Sequence, residues 1–136
     1  MRAIIIDDEK MALELLGILL SKFNEVELVG SYCNPMQALV GLPSLKVDVV
    51  FLDIEMGDIY GIEFAEKLLL LQEDLEIVFV TAYSQYAVDA FELNVIDYLL
   101  KPISEERLQK SITRVQNKLA EKKQEKKKGD LYIQSF

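Results

Sequence analysis

Histidine is absent from this chain of 136 residues, and its absence removes whole classes of chemistry. Without an imidazole, the commonest general base and the commonest metal ligand are both missing. Cys33 is the single cysteine, so it has no partner for an internal disulfide and no histidine to activate it. We interpret it as a small structural residue. Catalysis of the serine–histidine type is excluded.

The chain also lacks an apolar run that is long and charge-free enough to span a bilayer. Glu14 interrupts the stretch from Leu13 to Leu20, and the N-terminal run from Ala3 to Ile6 ends at Asp7. That run is too short for a secretory signal. We therefore expect a cytoplasmic protein that does not contact a membrane, with a length that suits one globular domain.

Positive charge is scarce except near the C-terminus. Residues 1–117 hold nine Lys or Arg against twenty Asp or Glu, whereas residues 118–128 hold six Lys and two Glu. A body this acidic repels nucleic acid. The short basic segment, which is interleaved with Glu, predicts a solvated helix end and a linker.

Short apolar runs alternate with longer helical patterns five times along the chain. The short runs predict strands near residues 2–6, 26–29, 47–52, 77–80 and 95–100. Apolar residues at helical spacing follow each of them, and Pro35, Ser84 and Ser104 are suited to the helix starts. This alternation predicts a parallel sheet with helices on both faces.

The last fifteen residues have a different composition. Residues 122–128 are of low complexity and predict a linker, which Gly129 interrupts. Residues 130–136 alternate polar and apolar side chains and predict the beginning of a new strand. We therefore expect one domain over residues 1–124, and a linker with the start of a truncated output domain over residues 125–136.

Polar residues follow the predicted strands at the point where each apolar run stops. Asp7 and Asp8 follow the first strand, Asp53 the third, Thr81 the fourth and Lys101 the fifth. In open α/β sheets, ligands bind outside the carboxyl ends of the strands, where the strand order reverses. We expect these five side chains to converge there.

Such a cluster has a chemical logic. Three carboxylates in one cleft repel each other, and a hard divalent cation such as Mg²⁺ relieves the repulsion. An ammonium and a hydroxyl beside them suit phosphoryl transfer, in which an aspartate can serve as the nucleophile. Taken singly, each residue has an ordinary explanation: Asp7 and Asp8 suit a helix start, and Lys101 a solvated surface. Their joint placement favours the functional interpretation.

The chain resembles the receiver domains of bacterial two-component response regulators over residues 1–124. Four motifs carry the resemblance, namely Ile6-Asp7-Asp8-Glu9, Val50-Phe51-Leu52-Asp53-Ile54, Val80-Thr81-Ala82 and Asp97-Tyr98-Leu99-Leu100-Lys101-Pro102. The resemblance implies a flavodoxin-like fold, with a five-stranded parallel sheet in the order 2-1-3-4-5. It also implies a phosphorelay switch that receives a phosphoryl group from a histidine kinase and controls a DNA-binding output domain. No enzymatic activity beyond its own phosphorylation and dephosphorylation is expected.

The resemblance assigns roles to individual residues. Asp53 matches the phosphoacceptor, and Asp7 and Asp8 match the acidic pair that binds Mg²⁺ or Mn²⁺ together with Asp53. Glu55 matches the position whose main-chain carbonyl also ligates the metal. Thr81 and Lys101 match the pair that contacts the phosphoryl group.

Two further matches concern conformation. Tyr98 matches the switch aromatic, which turns inward when the residue at the position of Thr81 moves toward the phosphate. Pro102 matches the proline that follows a cis peptide bond. Two residues depart from the family pattern: Gly57 stands where proline is usual, and Tyr60 stands where Asp or Asn is common.

The resemblance also bears on partners. The run from Thr81 to Phe91 is similar to receivers joined to LytTR-class output domains, whereas residues 131–136 are similar to the opening strand of BTAD/SARP-type activators. DNA is expected to be bound only through an output domain outside this sequence. We expect phosphorylation to promote a homodimer through the fourth helix, fifth strand and fifth helix. There Asp89, Glu92 and Asp97 would oppose Lys110 and Arg114 across a two-fold axis.

Three alternatives remain open at this point. An Asp-nucleophile phosphatase requires a second Asp two residues after the nucleophile, where this chain has Glu55. A flavin-binding module requires a first loop rich in Ser, Thr and Gly, where this chain has Asp7-Asp8-Glu9-Lys10. A receiver-type adaptor that acts without phosphate would not need the complete set of five polar residues.

Overall fold

The computed structural model describes the backbone of residues 1–134 and the side chains of residues 1–129. Five strands form one parallel sheet, and a two-stranded hairpin lies beside it. The strands are β1 (Arg2–Ile6), β2 (Glu27–Tyr32), β3 (Val49–Leu52), β4 (Glu55–Met56), β5 (Ile59–Tyr60), β6 (Glu76–Thr81) and β7 (Asp97–Leu100). The helices are α1 (Lys10–Ser21), α2 (Pro35–Leu45), α3 (Gly61–Leu71), α4 (Ala87–Glu92) and α5 (Glu105–Gln134).

The order of strands in the main sheet is β2-β1-β3-β6-β7, and every neighbouring pair is parallel. The predicted order, in which the first strand lies between the second and the third, is therefore confirmed. The antiparallel hairpin of β4 and β5 forms a separate small sheet.

Two hydrophobic cores lie on opposite faces of the sheet. Ile4 and Ile6 of β1 point into a core shared with α2 and α3, and Ala3 and Ile5 point into a core shared with α1 and α5. Strands of a sheet buried on both faces need apolar side chains at successive positions. This requirement explains why the central strands are apolar runs rather than alternating patterns.

Two predicted helix starts are confirmed by their capping contacts. Asn34 Oδ1 accepts a hydrogen bond from the Met36 amide, and Pro35 occupies the first turn of α2. Ser104 Oγ accepts a hydrogen bond from the Arg107 amide at the start of α5. The prediction for Ser84 is wrong, because α4 begins only at Ala87 and is six residues long.

The second strand extends beyond the predicted residues 26–29, since β2 continues through Gly30 to Tyr32. Gly30 pairs with Ile4 within the sheet. A Cβ at Gly30 would lie 2.7 Å from the Tyr32 ring and 3.1 Å from the Ile4 side chain. Glycine therefore serves close packing here rather than ending the strand.

The strand predicted from residue 130 onward is wrong for the residues that the structure describes. The helix α5 continues without interruption through Gly129 to Gln134, across the predicted linker. Residues 118–128 consist mainly of good helix formers, and the backbone bonds of a helix need no partner segment. Residues 135 and 136 lie outside the described part, and the division into two domains stays a prediction.

No helix within the described residues is long and apolar enough to cross a membrane.

Candidate functional site

The carboxyl ends of four strands bring the predicted polar side chains to one edge of the sheet. Asp7 directly follows β1 and Asp53 directly follows β3, and these strands are in register from Ala3 with Val49 to Ile6 with Leu52. Thr81 ends β6, and Lys101 follows β7. The chain order of the strands reverses between β1 and β3, which is where such sheets bind their ligands.

Three carboxylates form a cluster at this edge. Asp7, Asp8 and Asp53 each place an oxygen within 4.8 Å of the others. Asp7 and Asp53 are buried, whereas Asp8 is exposed to solvent. The Ile54 amide donates a hydrogen bond of 2.7 Å to Asp53 Oδ1, and the Glu9 amide donates one of 3.0 Å to Asp7 Oδ1. Main-chain contacts thus fix the orientation of both buried carboxylates.

Lys101 bridges the two buried carboxylates. Its Nζ lies 2.7 Å from Asp7 Oδ2 and 3.2 Å from Asp53 Oδ2. Burial opposes the charged form of Lys101, but the hydrogen bond to Asp7 and the charge of Asp53 outweigh it and raise the pKa of the ammonium. Burial raises the pKa of Asp53, with the charge of Asp7 acting in the same direction and Lys101 acting against it. The site therefore holds more negative charge than Lys101 alone balances.

The donor set fits a hard divalent cation. Mg²⁺ is bound in proteins by one or two carboxylates, further oxygen ligands and water. Asp8 is the exposed member of the cluster and is not engaged by Lys101 in the structure, and Glu55 lies in β4 two residues beyond Asp53. The excess negative charge and the exposed oxygen of Asp8 make cation binding favourable.

Thr81 and Tyr98 lie on neighbouring strands beside the cluster. The side chain of Thr81 is buried, and its Oγ1 accepts a hydrogen bond of 3.4 Å from the Tyr83 amide. Tyr98 is half-buried, its hydroxyl donates to the Tyr83 carbonyl oxygen, and its ring packs 6.3 Å from that of Phe79. The peptide bond between Lys101 and Pro102 is cis, as the resemblance implies.

The hairpin of β4 and β5 closes the site behind Asp53. The Gly61 amide donates a hydrogen bond to the Ile54 carbonyl oxygen, and a Cβ at Gly61 would lie 2.2 Å from the main-chain oxygen of Asp53. Gly57 opens the two-residue turn of the hairpin with a φ of 61°. Proline, which fixes φ near −65°, is unable to occupy this position, so the departure at Gly57 permits the hairpin.

A family model described as the response regulator receiver domain matches residues 3–113. The chain belongs to this family. The match adds an independent finding to the strand order and to the cluster of Asp7, Asp8, Asp53 and Lys101. The receiver is thus a domain of two-component response regulators.

Relatives of this receiver include whole response regulators. The chain is 48% identical over 113 residues to an uncharacterized response regulatory protein of Vibrio cholerae serotype O1, covering 83% of this chain and 47% of that protein. It is 40% identical over 132 residues to the transcriptional regulatory protein BtsR of Salmonella typhi, covering 97% of this chain and 52% of that protein. The receiver therefore spans about half the length of these relatives and is related to transcriptional regulators.

A solved structure agrees with the fold. The response regulatory domain of protein mrkE from Klebsiella pneumoniae superimposes with a TM-score of 0.76 at 35% identity, covering 91% of this chain and 99% of that chain. The region that the family model matches ends at residue 113, and helix α5 continues beyond it to Gln134.

The structure corrects one predicted role. Asp97 is 2% exposed and receives two hydrogen bonds from the Arg107 guanidinium, at 2.7 and 2.8 Å. Arg114 lies 2.9 Å from the same carboxylate. Burial acts to raise the pKa of Asp97, but hydrogen bonds from Arg107 and the Tyr98 amide outweigh it and lower the pKa. Asp97 and Arg114 are paired within the receiver and are not free to pair across a two-fold axis.

Sequence reasoning missed the side-chain contacts of the hairpin. The Tyr86 hydroxyl donates a hydrogen bond to Glu55 Oε1, and the rings of Tyr60 and Tyr86 pack edge to face. The departure at Tyr60 was the available signal, because an aromatic residue in a polar loop needs a surface to pack against. A cavity of about 570 Å³ lies between this hairpin, Asp8 and Tyr83.

Proposed function

We propose that this receiver is a phosphorylation-dependent switch of a cytoplasmic two-component system, with Asp53 as the phosphoacceptor. The observation that carries the proposal is the placement of the Asp53 carboxylate, which is buried beside Asp7 and within 3.2 Å of Lys101 Nζ. A buried carboxylate with a raised pKa and an adjacent ammonium suits nucleophilic attack on phosphorus. The donor is a phosphohistidine of a sensor kinase.

The proposed transfer forms one bond and breaks one bond. An Asp53 carboxylate oxygen attacks the phosphorus, the phosphorus–nitrogen bond of the donor histidine breaks, and the imidazole nitrogen keeps the bonding electron pair. The product is an acyl phosphate on Asp53. Lys101 Nζ moves from neutralising Asp53 to neutralising a phosphoryl oxygen, and the Thr81 hydroxyl is the second proposed contact of the phosphoryl group.

A divalent cation completes the proposed site. Mg²⁺ or Mn²⁺ would be held by Asp8 and Asp53 with the Glu55 main-chain carbonyl, and Asp7 would help through water. When bound, the cation supplies the positive charge that Lys101 alone does not provide. The lone activity proposed for this domain is its own phosphorylation and dephosphorylation, so no turnover of an external substrate is expected.

Intact-mass measurement after incubation with acetyl phosphate and Mg²⁺ tests the proposal. The wild type should gain the mass of one phosphoryl group, and the adduct should be labile to hydroxylamine, as acyl phosphates are. The Asp53→Asn variant should gain nothing. An adduct of equal yield in that variant would move the acceptor elsewhere, and a hydroxylamine-stable adduct would exclude an acyl phosphate.

The exposed surface of α4 and β7 suggests how the signal leaves the site. Val88, Phe91 and Leu100 are 71%, 56% and 48% exposed. Asp89 and Glu92 lie on α4 and Lys110 on α5, so the helices of this face carry charges of both signs. We include in the proposal a homodimer through this face when Asp53 is phosphorylated. Movement of Thr81 and Tyr98 would link the phosphorylation of Asp53 to dimerisation through this face.

Sedimentation with and without beryllofluoride and Mg²⁺ tests the dimer. The complex should sediment as a dimer at micromolar concentration, and Phe91→Asp should keep it monomeric while still taking up phosphate from acetyl phosphate. A wild type that stays monomeric at high micromolar concentration contradicts the dimer. The relative BtsR is a transcriptional regulatory protein, which supports an output domain that regulates transcription. We propose that this output domain binds the DNA.

A further inference from the structure

The hairpin that carries Glu55 is attached to α4 by side chains rather than by main-chain pairing. The Tyr86 hydroxyl donates a hydrogen bond to Glu55 Oε1, and Tyr86 is the residue immediately before α4. The Tyr60 ring lies 5.5 Å from the Tyr86 ring at an interplanar angle of 64°, which is an edge-to-face contact. The Tyr60 hydroxyl also lies 3.5 Å from Asp89 Oδ2 in the first turn of α4. These contacts join two segments that no strand connects.

Both rings have restricted freedom. Tyr60 and Tyr86 are half-buried and pack against the core between the sheet and α3. The hydrogen bond that the Glu55 carboxylate accepts raises the pKa of the Tyr86 hydroxyl. A half-buried ring that donates to a carboxylate fixes the position of the acidic side chain.

We propose that Tyr86, supported by Tyr60, is a positioning residue for the cation site, because it holds Glu55 and thereby the main-chain carbonyl that the cation uses. The inference rests on the proposed function, in which that carbonyl is a ligand. Ligands held in place before binding lose less conformational freedom on binding and give higher affinity. Two residues that depart from the family pattern, Gly57 and Tyr60, build this arrangement.

The same contact couples the cation site to α4. Tyr86 lies five residues after Thr81, so a displacement of the segment between them moves the hydroxyl that Glu55 binds. If the position of this segment changes the affinity for the cation, the cation changes the position of the segment by the same free energy. Tyr86 thus couples cation binding at the site to the position of α4, the helix that carries Val88 and Phe91.

Binding of Mn²⁺ to the phosphate-free protein, measured by electron paramagnetic resonance of the free ion, provides the main test. Tyr86→Phe removes the hydroxyl but keeps the ring, and should raise the Kd for Mn²⁺ roughly three- to tenfold, within the range for one typical hydrogen bond. Glu55→Ala keeps the main-chain carbonyl and removes the acceptor, and should have a similar effect. Tyr32→Phe, whose ring packs near Gly41 of α2, is the matched control and should leave the Kd unchanged.

The double variant distinguishes positioning from general loosening. If Tyr86 acts through Glu55, Tyr86→Phe should have no further effect in the Glu55→Ala background. Additive effects, or a Tyr86→Phe variant with a lower melting temperature and an unchanged Kd, would overturn the inference. Should Tyr86→Phe fail to fold, Glu55→Ala decides alone, because Glu55 is exposed and an unchanged Kd in that variant also overturns it. A wild type that binds no Mn²⁺ but forms the acyl phosphate would refute the cation site, whereas normal Mn²⁺ binding in all variants refutes only the tyrosine contact.

Discussion

Replacing the proposed acceptor should make the protein more stable. Asp53→Asn keeps a side-chain oxygen to accept the hydrogen bond from the Ile54 amide and removes one charge from the crowded cluster. The pKa of Asp53 is raised by burial, which means that the fold disfavours its charged form. At neutral pH and without a divalent cation, the wild type therefore holds an ionised group that the fold opposes.

The size of the effect follows from the distances. At an effective dielectric constant of about 20, two charges separated by the limiting 4.8 Å repel by about 3.5 kcal/mol, and the Lys101–Asp53 pair at 3.2 Å attracts by about 5 kcal/mol. Asp8 is exposed, so solvent reduces its share of the repulsion to a fraction of that value. Attraction and repulsion nearly cancel, which leaves the burial of the carboxylate to decide the sign. We expect Asp53→Asn to gain about 1 kcal/mol, or about 3–5 °C in melting temperature.

The pH dependence has a definite sign. Because the folded-state pKa of Asp53 is raised, the folded protein binds this proton more tightly, and stability from this group falls as the pH rises through the interval between the unfolded and folded values. The advantage of Asp53→Asn should be largest at neutral pH and should vanish once the pH lies below the unfolded-state value. Mg²⁺ should raise the melting temperature of the wild type and raise that of the variant less.

Calorimetric melts of both proteins at several pH values, with and without Mg²⁺, measure these effects. Asp8→Asn, which neutralises the exposed carboxylate, is the matched control and should gain less. A variant that is less stable than the wild type at neutral pH without Mg²⁺ would refute the reasoning. It would mean that the ion pair with Lys101 outweighs both burial and the repulsion from Asp7.

Two further predictions concern positions outside the cluster. Asp97→Asn leaves two arginines without a charged partner and should lower the free energy of unfolding by about 3 kcal/mol in urea titrations at pH 7. Because the folded-state pKa of Asp97 is lowered, its contribution to stability is present above the unfolded-state pKa and is lost as the pH falls through the folded-state value. A difference in the free energy of unfolding between variant and wild type that stays constant from neutral to strongly acidic pH would therefore contradict the ion pair. Gly61→Ala places a Cβ against the main-chain oxygen of Asp53 and should lower the free energy of unfolding by about 2 kcal/mol or more, whereas Gly129→Ala, where a Cβ meets nothing within 4 Å, should not destabilise the protein. Equal stability of the Gly61 and Gly129 variants would show that the hairpin accommodates the added Cβ without a loss in the free energy of unfolding.

The fold was predictable because the strands of a buried parallel sheet have a recognisable local sequence pattern. Runs such as Ile4 to Ile6 and Val49 to Leu52 are apolar at every position because both faces of the sheet are covered. The polar residue after each run then falls at the same edge, which brings Asp7, Asp53 and Lys101 together. Resemblance to a known family supplied the roles of these residues, and the geometry alone supplied their proximity.

Other features depend on contacts that local pattern does not encode. Asp97 interrupts an apolar strand, and its burial depends on Arg107 and Arg114 reaching it from α5. The hairpin of β4 and β5 has two residues in each strand, too few for a periodic signal. At the C-terminus, alternation over a few residues suggested a strand, but a strand needs a partner and the helix α5 does not.

Position-specific trapping of the phosphoryl group tests the central claim most directly. Borohydride reduces an acyl phosphate to the alcohol, so reduction after incubation with acetyl phosphate and Mg²⁺ should convert the acceptor aspartate into homoserine. Peptide mass mapping should find homoserine at position 53, with unmodified aspartate at positions 7 and 8. Homoserine at Asp7 or Asp8, or at none of the three positions despite a phosphoryl adduct in the intact mass, would contradict the assignment of Asp53.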